Sequence, residues 1–320
     1  MAADRTRARA TTAQTPRVGA LARPPRGDVW LIVLGVSAVS TSAPLIRAAA
    51  APAFAVAFWR NAFAGGLLVP YAFTRARDEI THLTTRERRL ALASGGLLAL
   101  HFATWIPSLS FTSVASSTAL VATQPVWAAL IARYRGDNVP ALGWAGIWLS
   151  VLGAALLTGI DLHFSARALT GDVLALVGGF FAAAYVTVGA EVRRSVSTTV
   201  YTTVCYVTTA ALLLVLIGVT GTRVVGFSGK TWLCLAGLTV GAQLLGHSVF
   251  NRVLKTTSPT VVSISILFEI VGATVLAAVF LDESPRLAAL PAALLIVAGV
   301  VAVIRAGDRQ PAVAGVPAVE

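Results

Sequence analysis

One acidic residue, Glu269, lies at the centre of a long apolar run that covers residues 257–281. An ionised carboxylate is costly in such surroundings unless it has a partner, so we expect Glu269 to face the interior of the fold or a water-filled cavity. A carboxyl group placed there could exchange a proton or bind an amine. The alternative is a neutral carboxyl group that joins two helices by hydrogen bonds, and both interpretations stay open.

Two histidines, His101 and His247, also lie within apolar runs, and histidine readily exchanges protons under physiological conditions. They occupy nearly equivalent positions in the two halves of the sequence, so we expect them to face one cavity from opposite sides. The alternative is that each is a packing residue with a satisfied hydrogen bond. No Cys, Asp or further His stands at ligand spacing, so we expect neither a metal nor a cofactor.

Other polar and aromatic side chains in the apolar runs are candidates for contact with a small molecule. The amides Gln124 and Gln243 could hydrogen-bond a ligand or join two helices. Arg60 could pair with a ligand carboxylate or with a helix C-terminus, or extend toward the end of its helix. Aromatic rings could line a cavity that holds an organic cation or an aromatic amino acid, or they could simply pack. The aromatic candidates are Trp105, Trp127, Tyr185 and Tyr206.

Composition indicates which elements position these side chains. Of the 320 residues, 56% are hydrophobic and only 12% are charged, which excludes an ordinary soluble globular protein. The apolar residues form runs of about 20, the length that crosses a hydrocarbon core, and runs this long indicate helices. We predict ten membrane-spanning helices, over residues 29–50, 54–73, 89–109, 112–133, 140–160, 172–191, 199–219, 231–252, 257–281 and 285–305.

The net charge of +11 is distributed in a way that argues against nucleic-acid binding. Most of the 25 Lys and Arg residues lie before residue 27, in the segment 74–89, in alternate later loops and after the last apolar run. The positive-inside rule then puts both termini in the cytoplasm. Glu191, beside Arg193 and Arg194, is interpreted as a solvated cytoplasmic end of a helix.

The sequence contains two similar halves. Thr112-Ser113 precedes an apolar run that ends with the segment 137–140, and Thr257-Ser258 precedes a run that ends with the segment 282–285. Both end segments begin with Asp and finish with Pro. Because each half holds five predicted spans, an odd number, consecutive halves must have opposite orientations. Such an inverted repeat places its ligand site between the halves, near the middle of the membrane.

Three motifs carry a family resemblance. Phe58-Trp59-Arg60 lies in the second predicted span, and a longer signature occurs twice. The first copy has 108–113 followed by Thr123-Gln124-Pro125-Val126, and the second has 253–258 followed by Phe268-Glu269-Ile270-Val271. With ten spans in two tandem halves, this pattern resembles the drug/metabolite transporter superfamily, EamA type. The family often has Glu-Pro where this chain has Gln-Pro and Glu-Ile, so the two copies differ at this point.

The resemblance and the charge pattern together imply an all-α membrane protein with two inverted five-helix repeats and both termini cytoplasmic. The repeats are expected over residues 28–160 and 171–305, with an external linker over 161–170. Residues 1–27, rich in Arg, Thr, Ala and Pro, are expected to form a disordered basic cytoplasmic tail, and residues 306–320 a second cytoplasmic tail.

The resemblance further implies a secondary transporter of the cell (inner) membrane that exports small metabolites, such as amino acids or related compounds, by alternating access. Coupling to protons stays open. Export of cationic drugs by the same fold is the main alternative, and an intramembrane enzyme, which would need clustered carboxylates, is a remote one. We expect a small-molecule substrate and membrane lipid as partners, no nucleic acid, and no catalytic residue; the sequence leaves the oligomeric state open.

Overall fold

The computed structural model describes residues 19, 21, 24–112, 114–158, 165–272 and 289–308, and every regular element within these ranges is helical. A π-helical segment, Thr239–His247, joins the α-helices Gly229–Leu238 and Ser248–Val253. Most of the N-terminal tail, residues 309–320 of the C-terminal tail, the segment 282–285 and the end of the run 257–281 lie outside the described residues. The helices are α1 Arg26–Val39, α2 Ser42–Ala49, α3 Ala53–Arg75, α4 Arg77–His82, α5 Thr85–Ser108, α6 Val114–Val121, α7 Gln124–Tyr134, α8 Ala141–Thr158, α9 Ala166–Val192, α10 Thr198–Thr220, α11 Gly229–Leu238, α12 Ser248–Val253, α13 Pro259–Ile266 and α14 Ala289–Asp308.

Within the described residues, 7 helical stretches are long and apolar enough to cross a membrane. Two shorter apolar helices, Ala141–Leu156 and Pro259–Gly272, accompany them. The chain is therefore a multi-pass helical membrane protein, while the count of ten spans and the side on which the termini lie stay predictions. The long stretches are Arg26–Ala49, Ala53–Arg75, Thr85–Ser108, Ala166–Val192, Thr198–Thr220, Gly229–Val253 and Leu290–Gly307.

Several predicted spans are interrupted rather than continuous. The run 29–50 divides into α1 and α2, the run 112–133 divides into α6 and α7, and the run 257–281 is broken at Leu267. Pro125 accounts for the second of these breaks, because it has no backbone N–H to continue the ladder of an α-helix. Hydropathy cannot reveal such breaks, because the residues on both sides remain apolar.

Serine residues mark where helices of the C-terminal half begin. The hydroxyl oxygens of Ser165, Ser197, Ser228 and Ser258 each accept a hydrogen bond from a backbone N–H three residues later, at 3.0, 3.3, 3.2 and 3.3 Å. These side chains satisfy one of the amide groups that every helix leaves unpaired at its start. Local sequence therefore sets the first residues of α9, α10, α11 and α13.

Three helix pairs make the most extensive contacts: α5 with α9, α3 with α10, and α8 with α14. In the last pair, glycines allow the backbones to approach closely. A Cβ atom added at Gly146 would lie 2.6 Å from the carbonyl oxygen of Gly299 and 2.9 Å from Cγ2 of Val303. Small residues at helix contacts allow dense packing in a membrane, where the hydrophobic effect does not drive helix association.

Candidate functional site

A central cavity lies between the N-terminal half, up to residue 158, and the C-terminal half, from residue 165. The cavity has a volume of about 100 Å³, and its walls are mainly apolar with a few polar groups. Its walls come from α1, α2, α3, α5, the α6–α7 junction, α9, the π-helical segment, α12, and the stretch from α13 to Ile270. Most of the candidates predicted from the sequence line it: Arg60, His101, Trp105, Gln124, Tyr185, His247 and Glu269.

Two of the interrupted helices bring Gln124 and Glu269 to this cavity, the residues at which the two copies of the signature differ. At the first break the N–H of Thr123 bonds back only three residues, and α7 then begins at Gln124. At the second break the N–H of Leu267 likewise bonds back three residues, to Ile264 at 3.2 Å, and the helix resumes before Glu269. Both side chains therefore stand in the first turn after a break, where the chain can present polar groups to a cavity.

The side chain of Gln124 bridges the two halves. Its Nε2 donates a hydrogen bond to Oγ of Ser263 on α13, at 3.0 Å. Glu269 is partly exposed and lines the cavity. Glu269 is not a member of any ion pair found among the described residues.

Arg60 is held by a chain of side-chain hydrogen bonds and is only 1% exposed. Its Nε donates to Oε1 of Gln243 at 2.8 Å, and Nε2 of Gln243 donates in turn to Oδ1 of Asn61 at 3.1 Å. The guanidinium carbon lies 4.6 Å from the centre of the Phe102 ring. The terminal nitrogens Nη1 and Nη2 are buried without a hydrogen-bond partner in the described part of the chain.

The two histidines face the cavity from opposite halves. Nδ1 of His101 lies 2.9 Å from the carbonyl oxygen of Gly178, and because a carbonyl oxygen only accepts, this nitrogen carries the proton. The ring of His101 stacks on Trp105, with centroids 5.6 Å apart. His247 lies edge-on to Phe102 at 5.8 Å and to Tyr185 at 6.3 Å, so aromatic contacts hold both histidines in place.

Three predicted candidates lie outside the set of described residues that line the cavity. Gln243 is fully buried behind Arg60, which it orients. The hydroxyl of Tyr206 lies 3.0 Å from Oγ of Ser248, and its ring is buried in the core. Trp127 packs edge-on against Phe180 at 5.6 Å. These positions fit structural roles, with Gln243 acting on the site through its neighbour.

A second cavity, of about 50 Å³, continues along the same helices. Its lining residues on α7, α9 and the chain after α12 follow those of the central cavity by one or two turns, as Ala128 follows Gln124 and Leu254 follows Phe250. Thr257 and Thr260 line it with hydroxyl groups that have no hydrogen-bond partner in the described structure. The second cavity therefore marks a path, lined in part by polar groups, from beside the central cavity toward one face of the molecule.

A cluster of charges lies at the outer end of this path, and it corrects the interpretation of Glu191 as a solvated helix end. The Glu191 carboxylate is only 15% exposed; it accepts hydrogen bonds from Arg86 at 2.8 Å and Arg135 at 3.2 Å, and forms an ion pair with Arg194 at 3.1 Å. Arg86 and Arg135 belong to the N-terminal half, while Glu191 and Arg194 belong to the C-terminal half. The cluster thus connects the two halves across the second cavity.

Sequence reasoning missed other residues of the site. Ser263, which accepts from Gln124, and Phe250, which lines the cavity, look like ordinary members of their apolar runs. The role of Phe102 beneath Arg60 was equally hidden. Among the described residues, no three His, Cys, Asp or Glu side chains are grouped in a way that could hold a metal ion. Arg60, Glu269 and the aromatic rings of the cavity offer ionic and aromatic recognition of a ligand.

Comparisons with known proteins agree with this architecture. A family model described as the EamA-like transporter family matches residues 26–159 and again residues 169–305. A protein of Archaeoglobus fulgidus named an uncharacterized transporter is 26% identical over 222 residues, which cover 67% of this chain and 74% of the relative. A solved structure described only as "Crystal structure of protein" aligns with a TM-score of 0.75 at 19% identity, over 88% of this chain and 98% of that chain. A likeness at such low identity shows a shared fold and nothing further.

Proposed function

Because this chain belongs to the EamA-like transporter family, we propose that it is a secondary transporter of the plasma membrane that exports small metabolites, such as amino acids or related compounds. The observation that carries the proposal is the central cavity, which lies between two halves and is lined by Arg60, Glu269 and aromatic rings. A cavity with few polar groups among apolar walls is typical of sites that bind small molecules. Family membership itself places the chain among transporters.

The proposed mechanism is alternating access by two inverted five-helix repeats. If the two halves are related by a two-fold axis, each contact between two predicted spans should recur between their counterparts in the other half. The counterparts of α5 and α9 are the π-helical segment and α1, and both pairs are in contact. The α3–α10 and α8–α14 pairs each join a span to its own counterpart. This pairing supports a two-fold relation between the halves, which is the arrangement in which two repeats can rock about a fixed central site.

In this mechanism the Glu191 cluster closes the cytoplasmic path. It joins the halves at the end of the second cavity, on the face to which the positive-inside rule assigns the cytoplasm. Opening toward the cytoplasm would separate Glu191 from Arg86 and Arg135. Substrate would then reach the central cavity along the walls formed by α7 and α9.

Glu269 is the proposed coupling residue. It lines the cavity without an ion-pair partner among the described residues, so its carboxyl group is available to a proton or to a substrate amine. Export driven by the proton gradient would then be an antiport, in which a proton and the substrate occupy the site alternately. Export of organic cations is the second candidate, because the same carboxyl group lies in a cavity with Trp105 and Tyr185, whose rings can contact a cation.

The experiment that tests the function uses purified protein in liposomes and measures counterflow of labelled amino acids and organic cations. We expect exchange of amino acids or related metabolites well above that of empty liposomes. If no compound of either class exchanges faster than the background, the proposed function is wrong. Preferential exchange of organic cations would favour the second candidate.

The coupling role is tested separately with Glu269→Gln, which keeps the shape of the side chain and removes its charge. We expect the variant to lose the dependence of transport on an imposed pH gradient. Asp78→Asn, an exposed acid on α4, serves as the matched control and should behave as the wild type. A Glu269→Gln protein whose transport keeps the wild-type rate and pH dependence would show that Glu269 has no part in coupling.

A further inference from the structure

The guanidinium of Arg60 has a fixed orientation and an incomplete set of partners. Its Nε is bonded to Gln243, which Asn61 holds from behind, and the ring of Phe102 lies 4.6 Å from the guanidinium carbon. These contacts leave Nη1 and Nη2 as the free pair of donors on a side chain that is 1% exposed. A buried cation with unused donors is unfavourable, because it has lost its water and gained no acceptor in return.

The neighbouring protein groups do not complete this set. Glu269 lines the same cavity, yet it forms no ion pair with Arg60 within the described structure. The hydrogen bonds of His101 and Gln124 use their donors, Nδ1 and Nε2, and neither side chain accepts from Nη1 or Nη2 of Arg60 in the described structure. A ligand in the cavity can supply the acceptor that Nη1 and Nη2 lack.

A carboxylate is the acceptor that fits this pair of donors best. The guanidinium is planar, and its two terminal N–H groups match the two oxygens of a carboxylate in a bidentate contact. The rest of the cavity is mainly apolar, with Val39, Val186, Ile266 and Leu267 in its walls. Such walls suit the hydrocarbon or aromatic body of a small organic acid.

We propose that Arg60 binds the carboxylate of the transported molecule, so that substrates of this protein carry a carboxylate on an apolar body. This assignment rests on the proposed transport function. Gln243 and Phe102 are positioning residues, which hold the guanidinium toward the cavity. Glu269 lines the same cavity and can bind the amine of a zwitterionic substrate, whereas a compound with an amine alone leaves Nη1 and Nη2 of Arg60 without an acceptor. The structure thus favours acids and zwitterions over purely cationic compounds.

The test measures counterflow in liposomes with probes that differ only in the carboxylate. The matched pairs are phenylalanine with phenylalaninamide, leucine with leucinamide, and 3-phenylpropionate with 3-phenylpropionamide. We expect wild-type protein to transport the carboxylate member of a pair roughly tenfold to 100-fold faster, the usual worth of a hydrogen bond to a charged group. This selectivity is measured on wild-type protein and does not depend on the folding of any variant.

Variants then assign the selectivity to Arg60. Arg60→Gln should lose transport of the acids by a similar factor, and Arg60→Lys, which keeps the charge but not the planar pair of donors, should show an intermediate loss. Arg47→Gln, at an exposed arginine in the last turn of α2, is the matched control and should keep wild-type rates. Thermal unfolding of each purified variant separates loss of binding from loss of folding.

The possible outcomes separate this inference from the function on which it rests. Transport of the compounds without a carboxylate at rates equal to or above those of the matching acids overturns the carboxylate site while the transport function stands. Acid transport at wild-type rates by folded Arg60→Gln overturns it as well. If wild-type protein transports no compound at all, the proposed function fails and the carboxylate site fails with it.

Discussion

Replacing Glu191 by glutamine is expected to loosen the closure on the cytoplasmic path. The glutamine keeps the length of the side chain but removes the charge that attracts Arg86, Arg135 and Arg194. Two of these arginines, Arg86 and Arg135, belong to the opposite half of the chain. The substitution therefore weakens contacts between the halves, and it leaves the central cavity untouched.

The size of the change in the ratio of closed to open protein follows from the exposure of the charged side chains in the cluster. Arg86 is 71% exposed and Arg135 is 33% exposed, while the carboxylate is 15% exposed, so the pairs resemble surface ion pairs more than buried ones. Such pairs are worth about 0.2–1 kcal/mol each, and the two that join the halves together contribute roughly 0.5–2 kcal/mol. Since about 1.4 kcal/mol corresponds to a factor of ten, the ratio of closed to open protein should fall about twofold to thirtyfold.

The assay reports the accessibility of the second cavity through a single cysteine at Thr260, a fully buried residue of its lining. Cys205 and Cys234 are first replaced by serine, since both are free thiols. The rate of labelling by a membrane-impermeant maleimide is then measured in inside-out vesicles. We expect Glu191→Gln to raise this rate by the factor above, and high salt should raise the wild-type rate toward that of the variant.

Asp78→Asn provides the control, because this exposed acid takes no part in the ion pairs found among the described residues. Its labelling rate should equal that of the unsubstituted protein. The reasoning is refuted if Glu191→Gln labels no faster than this control, since the cluster would then contribute nothing to closure. If the variant is instead labelled faster when the maleimide is added outside intact cells, the cluster lies on the external face.

Two further predictions concern stability and are measured by thermal unfolding in detergent. Gly146→Ala should destabilise the protein by about 1–3 kcal/mol, because the added methyl group collides with the backbone of Gly299, whereas Gly66→Ala, which meets no atom within 4 Å, should be nearly neutral. Tyr185→Phe should cost roughly 0.6–2 kcal/mol, because it removes the 2.8 Å hydrogen bond to Oδ1 of Asn251. Equal unfolding temperatures for the two glycine variants, or an unchanged one for Tyr185→Phe, would contradict the packing described above.

The general architecture could be predicted from the sequence because it depends on local properties. Long apolar runs indicate spans wherever they occur, and a serine before such a run indicates where a helix begins, as Ser197 and Ser228 do. The π-helical segment Thr239–His247 has no comparable local signal. It brings Gln243 to Arg60 and Asn61, and those partners lie 183 and 182 residues away along the chain.

Part of the candidate site could be predicted from the sequence, again from a local property. A charged or polar side chain in an apolar run stands out, so Arg60, His101 and Glu269 could be singled out without knowledge of the fold. Glu191 could not be recognised, because an acid near a helix end next to arginines looks like an ordinary solvated terminus. Its role depends on Arg86 and Arg135, which are 105 and 56 residues distant in sequence.

The breaks in the helices after α6 and after α13 differ in one respect that has a dynamic consequence. At the first break Pro125 permanently lacks the N–H that a continuous helix requires. At the second break Leu267 and Ile270 carry N–H groups, which here donate to Ile264 and Leu267, and nothing covalent prevents these groups from forming bonds of α-helical length. The first half therefore contains a fixed bend, and the second contains a joint that can straighten. Ligand binding beside Glu269 could then straighten the helix at the end of α13, while the bend at Pro125 would not change. The two repeats would therefore not be mechanically equivalent during the transport cycle.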